Sequence, residues 1–284
     1  MADAPLMTPA DAGALIRVPT ADDDKYSRGV IGFVTGSTQY PGAAVLGVEA
    51  ALRTGVGMAR YLGPARPTEL VLQRRPEVVT APGRVQAWVV GSGIASVSDP
   101  GDDETGQRVG AALESGHPMV MDAGAIEHDA IARATASGAP VVITPHAGEL
   151  ARLLDRDRAT VLADPLGSAR EAAERHGVVV LLKGSATRAV SPTGHVIEAR
   201  SAPAWLATAG AGDALAGLLG ALLAAHAEAL AVDADRTLLT RLAAAAAVIH
   251  GLAAERASAG GPLTVLDLCS AISPVIADLV AGRE

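Results

Sequence analysis

Short runs of aliphatic and β-branched residues alternate with longer alanine-rich segments along most of the chain. The runs have the length of buried strands, and the segments between them have the length and composition of helices. The predicted strands are 30–35, 87–91, 118–122, 140–144 and 178–183. The predicted helices between them lie near 42–54, 104–115, 127–137, 147–154 and 166–176. This alternation predicts an α/β fold with a mainly parallel central sheet that is covered by helices on both faces.

One segment breaks this alternation. At 187–199, two short stretches of alternating polarity flank a Pro-Thr-Gly turn, which predicts a β-hairpin. The remaining predictions are helices near 213–226, 237–257 and 264–281, a polar arm over 1–24, and an acidic loop over 96–107 that leads into a helix. The chain has neither a repeat of fixed period nor a long linker, so 25–284 is predicted to form a single domain.

The composition limits the functions that the chain can have. With 49% hydrophobic residues among 284, the chain can bury a large core. The 23 basic and 31 acidic residues give a net charge of −8 without a Lys/Arg-rich block, which argues against nucleic acid or an anionic membrane as the main partner. The single cysteine, Cys269, excludes an internal disulfide, fits a reducing compartment and is expected to be an inert buried thiol.

The sequence also predicts where the protein works. The first residues, MADAPLMTPADAG, lack the basic and apolar regions of a secretory signal, so we expect a cytoplasmic protein. Only 215–232 approaches the length of a membrane span, but it contains His226 and Glu228 and follows Asp213 closely. We therefore interpret it as a buried core helix.

Several predicted strands end in residues that can contact a ligand. These ends read VTGS, VVGSG, VMDAG, ITPHAGE and LLKGS. Parallel strands finish at the same edge of a sheet, and ligands of open α/β folds bind at that edge, next to helix N-termini. We therefore expect the strand ends to form one ligand-binding edge.

The stretch LATAGAGDALAGLLGALLA (206–224) joins a flexible loop to an apolar helix. Gly210, Ala211 and Gly212 allow an anion to approach the backbone N–H groups of the first helical turn, so they are a candidate anion hole. Asp213 has two interpretations. It either caps the helix, or it is a general base that accepts a hydroxyl proton while the amides stabilise a transferred phosphoryl group.

The motif LLKGSAT (181–187) places Lys183 at the end of a buried apolar strand. An ammonium there can bind phosphate, and the following glycine allows the ligand to approach closely. The alternative is a lysine that points into solvent. The chain contains no G-x-x-x-x-G-K-[ST] sequence, so this is not a Walker-type site.

The motif TPHAGEL (144–150) places His146 and Glu149 on one face of the first turn of a helix. Two candidate ligands are too few for a structural zinc site. Close to phosphates, Glu149 could hold a hydrated Mg²⁺ through water. The alternative is that Glu149 caps the helix and His146 is a surface residue.

These motifs, together with GSTQYPGAA (36–44) and VVGSG (89–93), resemble the ribokinase-like superfamily and, within it, the ADP/ATP-dependent NAD(P)H-hydrate dehydratases. The Gly-x-Gly-Asp of ATAGAGD is shared by many kinases of that superfamily. TPHAGE is more specific, because related vitamin kinases usually have Asn at the position of His146. The resemblance extends from about Lys25 to Leu268.

The resemblance implies a ribokinase-like fold and repair of a damaged cofactor. NADH or NADPH that is hydrated on its nicotinamide ring, NAD(P)HX, would be dehydrated with hydrolysis of ADP or ATP and with Mg²⁺. The ring hydroxyl would be phosphorylated, and elimination would restore the double bond. The implied nucleotide contacts are Lys183, Gly184, Ser185, Ala186, Thr187 and Gly212. The implied contacts to NAD(P)HX are Ala43, Gly93, His146 and Asp213, with Asp213 as the general base.

The sequence departs from the family in one motif. The family often has Asp-Ala-Asp where MDAGAI places Gly124 at the last acidic position, so no role is transferred there. Many relatives also have an N-terminal epimerase domain that interconverts the two hydrate epimers, and we expect a separate epimerase to serve this chain. By family analogy we expect a homo-oligomer, with a tetramer favoured, because alanine-rich helices can pack closely.

Two alternatives stay open. The first is a kinase of the same fold that phosphorylates a vitamin precursor or a sugar and releases the phosphorylated product. The second is a nucleotide-binding regulator without catalytic activity. His146 and GSTQYPGAA favour the dehydratase over the kinase, and Asp213 with Lys183 favours an active enzyme. The sequence does not distinguish ADP from ATP or NADHX from NADPHX.

Overall fold

A single mixed sheet forms the centre of the fold. The structure is a computed structural model that describes residues 4–99, 102–199 and 202–283. Its strands are β1 (Val30–Val34), β2 (Met58–Tyr61), β3 (Ala87–Val90), β4 (Met119–Met121), β5 (Val141–Ile143), β6 (Val179–Leu182), β7 (Thr187–Val190) and β8 (Val196–Ala199). The strand order is β2-β1-β3-β4-β5-β6-β7-β8. Strands β1 to β6 pair in parallel, and β7 and β8 are antiparallel to their neighbours.

Helices connect the strands and cover both faces of the sheet. Those in the described part of the chain are α1 (Pro9–Gly13), α2 (Gly42–Thr54), α3 (Ala65–Arg74), α4 (Asp103–Leu113), α5 (His128–Ala136), α6 (Ala147–Leu153), α7 (Arg158–Ala163), α8 (Pro165–His176), α9 (Ala211–Ala225), α10 (Ala227–Leu230), α11 (Thr237–Ser258) and α12 (Val265–Val280). Short 3₁₀ turns lie at Ala123–Ala125 and Ala204–Leu206. The predicted α/β class with a mainly parallel sheet is confirmed.

The two faces of the sheet bury two hydrophobic cores. Successive residues of a strand point to opposite faces. Ile31 and Phe33 therefore lie in the core beneath α2, α9 and α11, whereas Val30 and Val34 lie in the core beneath α4, α5 and α8. Because both faces are covered, the central strands are buried along their whole length, which explains their uniformly apolar sequences.

The structure adds elements that the sequence pattern did not predict. The most important are β2 and α3, between β1 and β3. Strand β2 is the edge of the sheet, and its four residues alternate between half-buried and buried. An edge strand of this length that contains Arg60 lacks the apolar run by which the other strands were recognised. The predicted hairpin is confirmed as β7 and β8.

The amino-terminal segment differs from the predicted polar arm. Leu6 forms a parallel bridge to Glu198 on β8, and α1 follows. Met7, Ala12 and Leu15 are buried in the core beneath α9 and α11. The segment therefore covers the exposed edge of the sheet, which is a common way of protecting an edge strand. Residues 1–3 of the predicted arm and 100–101 of the predicted acidic loop lie outside the described residues.

The alanine-rich helices form the interior of the protein. Helix α9 ends at Ala225, so the 215–232 segment is not one continuous helix. Within the described ranges, α11 is the helix that is long and apolar enough to cross a membrane, but 78% of its most apolar window is buried inside the fold. Most alanines of α9 and α11 are buried inside the fold, and the predicted homo-oligomer stays a prediction. Cys269 is buried as expected, and burial raises the pKa of its thiol to about 12.

Candidate active site

Four neighbouring strands end in polar residues at the same edge of the sheet. Ser92 follows β3, Asp122 follows β4, Thr144 follows β5 and Lys183 follows β6. Since β3, β4, β5 and β6 are consecutive in the sheet, these side chains are brought together from four distant parts of the sequence. These strand ends thus meet at one edge with Asp122 at the centre, and ligand binding at that edge stays a prediction.

The carboxylate of Asp122 is the meeting point of the cluster. Its Oδ2 accepts a hydrogen bond from Ser92 Oγ at 3.0 Å, and its Oδ1 accepts one from Thr144 Oγ1 at 2.7 Å. The ammonium of Lys183 donates to the same Oδ1 at 2.9 Å. Asp122 is 3% exposed, so this is a buried carboxylate with both oxygens engaged. Sequence reasoning assigned it no role, although its place at the end of a predicted strand was a signal.

Lys183 is held in the cluster and does not point freely into solvent. Its Nζ also lies 3.7 Å from Glu149 Oε2, and 22% of its side chain is exposed. Burial lowers the pKa of Lys183, but the carboxylates of Asp122 and Glu149 raise it by more, so the net pKa lies above its usual value. The side chain is therefore a fixed positive charge at neutral pH.

The glycine loop (Gly210–Gly212) lies beside that charge. Gly210 has φ 91° and is the N-cap of α9. This backbone angle favours glycine, and a Cβ at Gly210 would also lie 2.5 Å from Leu46 Cδ1, so the Leu46 side chain would have to move. A Cβ at Gly212 would lie 3.4 Å from Lys183 Nζ. The first turn of α9 and the lysine ammonium thus lie side by side, which suits an anionic ligand.

Asp213 is the third residue of α9, so the interpretation of Asp213 as the N-cap is wrong. Its side chain is half-buried near the other charges of the cluster. Burial raises the pKa of Asp213, the carboxylate of Asp122 raises it further, and Lys183 opposes both, which together give a pKa of about 6. A carboxylate with a pKa close to neutrality is better suited to accept a proton than an ordinary aspartate.

His146 and Glu149 form a capping box at the start of α6. Nδ1 of His146 accepts from the backbone N–H of Gly148 and Glu149 at 3.0 and 3.1 Å, and Glu149 Oε2 accepts from the backbone N–H of His146 at 2.7 Å. The capping interpretation is therefore observed. The imidazole is still 59% exposed, and its Nε2 is not used by the cap. His146 can cap α6 and contact a ligand with the same ring.

The other predicted residues lie in two groups. Gly93, with φ 70°, approaches α2 so closely that a Cβ would lie 2.5 Å from the Cβ of Ala43. Gly184 and Ser185 are exposed between β6 and β7, Ala186 is half-buried, and Thr187 begins β7. The structure thus pairs Ala43 with Gly93 and places 184–187 directly after Lys183.

A comparison with known proteins identifies the family. A family model described as NAD(P)H-hydrate dehydratase matches residues 31–274, which is most of the chain. The chain belongs to this family. The predicted family and its ribokinase-like fold are confirmed.

Individual relatives agree with this assignment. The chain is 43% identical over 222 residues to the bifunctional NAD(P)H-hydrate repair enzyme Nnr of Mycobacterium tuberculosis, covering 75% of this chain and 45% of that protein. It is 34% identical over 234 residues to the ADP-dependent (S)-NAD(P)H-hydrate dehydratase of Xanthomonas campestris pv. campestris, covering 75% of this chain and 78% of that protein. The chain spans about half the length of the bifunctional relatives that it matches.

A solved structure shows the same fold at lower sequence identity. The ADP/ATP-dependent NAD(P)H-hydrate dehydratase from Bacillus subtilis, co-crystallized with ATP/Mg²⁺, matches with a TM-score of 0.81 and 22% identity. The match covers 98% of this chain and 100% of that chain.

Gly124 is where this member of the NAD(P)H-hydrate dehydratase family departs from the Asp-Ala-Asp motif. A Cβ at Gly124 would lie 2.2 Å from the carbonyl oxygen of Ile94. The preceding residue, Ala123, has φ 48°, which is unusual for a residue other than glycine. The backbone after Asp122 is therefore packed too tightly for an acidic side chain at position 124.

The described residues contain no group of three or more His, Cys, Asp or Glu side chains that could hold a metal ion. Mg²⁺, however, is usually held by one or two carboxylates together with phosphate oxygens and water. Oε2 of Glu149 is engaged by the cap and by Lys183, so a water-mediated contact would be made by Oε1, which lies 3.7 Å from Nε2 of His146. The donor set therefore fits Mg²⁺ that arrives with a nucleotide.

A cavity of the described part of the chain lies away from this site. It has a volume of about 820 Å³ and lies at the opposite edge of the sheet, where Gln86, His117 and Pro140 precede β3, β4 and β5. We place the active site at the carboxyl edge because the charged cluster and the start of α9 are there.

Proposed function

We propose that the chain dehydrates NAD(P)HX to NAD(P)H with hydrolysis of ADP or ATP. The observation that supports this most directly is the position of Asp213. It combines a pKa of about 6 with a place in the first turn of α9, directly after the glycine loop and near Lys183. This is the arrangement that transfer of a phosphoryl group to a hydroxyl requires.

The reaction has two steps. Asp213 accepts the proton of the ring hydroxyl as its oxygen attacks the terminal phosphorus of the nucleotide. An oxygen–phosphorus bond forms, the anhydride bond breaks, and AMP or ADP leaves. The carbon–oxygen bond to the phosphate then breaks, the adjacent ring carbon loses a proton, and the double bond of NAD(P)H is restored. The products are NAD(P)H, inorganic phosphate and AMP or ADP.

Each part of the site has a role in these steps. Lys183 and the N–H groups of the glycine loop stabilise the negative charge of the transferred phosphoryl group. Mg²⁺ bound to the phosphates supplies further positive charge. Glu149 is the residue proposed to hold it through water. Ser185 and Thr187 offer hydroxyls to the nucleotide, along with the backbone of Gly184 and Ala186.

The substrate contacts lie around the base. Ala43 and Gly93 form a surface without bulky side chains, where the dinucleotide can approach the backbone. His146 offers Nε2 as a hydrogen-bond donor at the rim of the site, because its Nδ1 accepts from the capped helix. These contacts are proposed to place the ring hydroxyl next to Asp213.

The wider setting is also proposed from the family. An epimerase activity would convert the unreactive epimer of the hydrate into the reactive one. A cytoplasmic homo-oligomer, with a tetramer favoured, is the expected form of the protein. Light scattering tests the oligomer, and a mass equal to the 28.5 kDa monomer at micromolar concentration would contradict it.

The activity is tested by incubating the protein with acid-prepared NADHX, Mg²⁺ and either ADP or ATP. The expected result is a rise in the absorbance of NADH that depends on one or both nucleotides. A flat trace with both nucleotides, combined with phosphorylation of a small vitamin precursor or sugar, would favour the kinase. A flat trace with intact nucleotide binding and no nucleotide hydrolysis would favour the regulator.

A further inference from the structure

We propose that Asp122 is a positioning residue for this reaction, because its carboxylate holds the ammonium of Lys183 next to the first turn of α9. The proposal rests on the proposed function, since it concerns how that site is organised. The sequence places Asp122 at the strand end VMDAG but assigns it no role.

The geometry makes Asp122 the principal anchor of Lys183. The ammonium lies 2.9 Å from Asp122 Oδ1 but 3.7 Å from Glu149 Oε2. Glu149 Oε2 already accepts a 2.7 Å hydrogen bond from the backbone of His146. Asp122 is therefore the carboxylate that fixes where the charge of Lys183 sits.

Asp122 is itself held rigidly. Ser92 and Thr144 donate to its two oxygens from the strands on either side. Its backbone is confined as well, since a Cβ at Gly91 would lie 2.2 Å from the carbonyl oxygen of Asp122. Because Asp122 is anchored on both sides, it can hold the Lys183 ammonium in one position.

A lysine needs such an anchor more than an arginine does. Its ammonium is a point charge on a flexible four-carbon chain, whereas a guanidinium is a rigid planar group. The chain uses arginine at most of its 23 basic positions and has lysine only at Lys25 and Lys183. At the candidate active site, the carboxylate of Asp122 therefore fixes the position of the flexible Lys183 ammonium.

The charges around Asp213 are part of the same arrangement. Asp122 and Lys183 act on the pKa of Asp213 in opposite directions, and Glu149 Oε2 lies 3.7 Å from Lys183 Nζ. His250 of α11, beneath the start of α9, is buried, and its pKa is lowered to about 4, mainly by desolvation, so it stays neutral. Loss of the Asp122 charge therefore changes the position of Lys183 and the pKa of Asp213, while the glycine loop stays intact.

The two lysines make the position of Lys183 directly measurable. Protein labelled with ¹³Cε-lysine should give one set of signals from Lys25, which is exposed, and one from Lys183. In an immobilised lysine the two Hε protons have different chemical shifts, whereas in a mobile one they coincide. We expect separate Hε signals for Lys183 in the wild type and coincident signals in Asp122→Asn, with Lys25 unchanged in both.

Kinetics supplies the second readout. Asp122→Asn should lower kcat by about 10- to 100-fold, because the charge that stabilises the phosphoryl group is misplaced. The KM for the nucleotide should stay the same or fall, since a negative charge is removed near the phosphates. In a Lys183→Met background the same change should alter kcat by less than about threefold at about pH 8, because Asp122 then has no ammonium to hold and Asp213, with a pKa of about 6, is ionised with or without the Asp122 charge.

Further variants separate positioning from folding. Thr144→Val removes one bond to Asp122 and should shift the Lys183 signals part of the way toward those of Asp122→Asn. Thr240→Val removes a buried hydroxyl of α11 that donates to the Arg236 carbonyl at 2.7 Å, and should leave the signals unchanged. If Asp122→Asn does not fold, the comparison of Thr144→Val with Thr240→Val decides the matter.

Three results would overturn the proposal: unchanged Hε signals of Lys183 in the folded Asp122 or Thr144 variant, a wild-type kcat in Asp122→Asn, or additive losses in the Lys183→Met background. Failure of the wild type to regenerate NADH would refute the proposed function instead. The lysine signals would still report whether Asp122 fixes Lys183.

Discussion

Replacing Asp213 with Asn separates a catalytic carboxylate from a structural one. The pKa of Asp213 is raised from 3.8 to about 6, so the folded protein resists ionisation of this group more than the unfolded chain does. A difference of about two pH units corresponds to about 3 kcal/mol. Because the side chain is half-buried and partly screened by solvent, we expect ionisation of Asp213 to lower the free energy of unfolding by about 1 kcal/mol.

The sign of this effect follows from linkage. A raised carboxyl pKa contributes stability below the unfolded value of 3.8, and this contribution is lost as the pH rises through the folded value of about 6. Asp213→Asn removes the ionisable group, so the variant should be more stable than the wild type at about pH 8 and show no such gain at about pH 4. Its kcat should fall by about 10²- to 10⁴-fold, because the proton acceptor is lost.

Urea unfolding at the two pH values measures the stability, and NADH regeneration measures the rate. Asp267→Asn is the matched control, because Asp267 is the third residue of α12, is exposed and belongs to another helix start. The control should show neither the gain in stability nor the loss of rate. An Asp213→Asn enzyme with a kcat within a few-fold of wild type would refute the catalytic role. A less stable variant at about pH 8 would show that the charge is not destabilising.

Three further predictions follow from the same geometry. Lys183→Ala should raise the Kd for ADP or ATP measured by calorimetry, and an unchanged Kd would remove Lys183 from the nucleotide site. Gly210→Ala should cost about 1–3 kcal/mol and most of the activity, whereas Gly177→Ala, with φ 66° and nothing within 4 Å, should cost stability but no activity. His250 has its pKa lowered from 6.5 to about 4 by burial, so the wild type should lose up to about 3 kcal/mol of unfolding free energy as the pH falls from 6.5 to 4, and His250→Leu should lose less. Equal losses in both proteins would contradict this.

The pattern of apolar runs correctly locates the strands that are buried on both faces. β1, β3, β4, β5 and β6 are all apolar runs, and each was located within a residue or two. β2 was missed because it is a short edge strand in which Arg60 donates to the carbonyl oxygens of Ala81 and Arg84, so a charged residue is satisfied inside the strand. A single sequence does not reveal such a compensating contact.

The sequence motifs predicted individual residues of the candidate site, but not the hydrogen bonds and ion pairs that connect them. Asp122 and Lys183 are 61 residues apart, and only the strand order brings their side chains into contact. The same holds for Gly124, whose lack of a side chain looks like a loss from the family motif until the Ile94 carbonyl is seen beside it. Local pattern identifies which residues can do chemistry, whereas the topology determines which of them meet.

In the proposed reaction, phosphoryl transfer at this site ends in elimination. The most direct test follows NADHX, Mg²⁺ and ADP or ATP by ³¹P NMR while the absorbance of NADH is recorded in the same sample. We expect one inorganic phosphate and one AMP or ADP for each NADH that is regenerated, with no phosphorylated organic product accumulating. A stable phosphorylated product without NADH, or NADH formed without nucleotide hydrolysis, would contradict it.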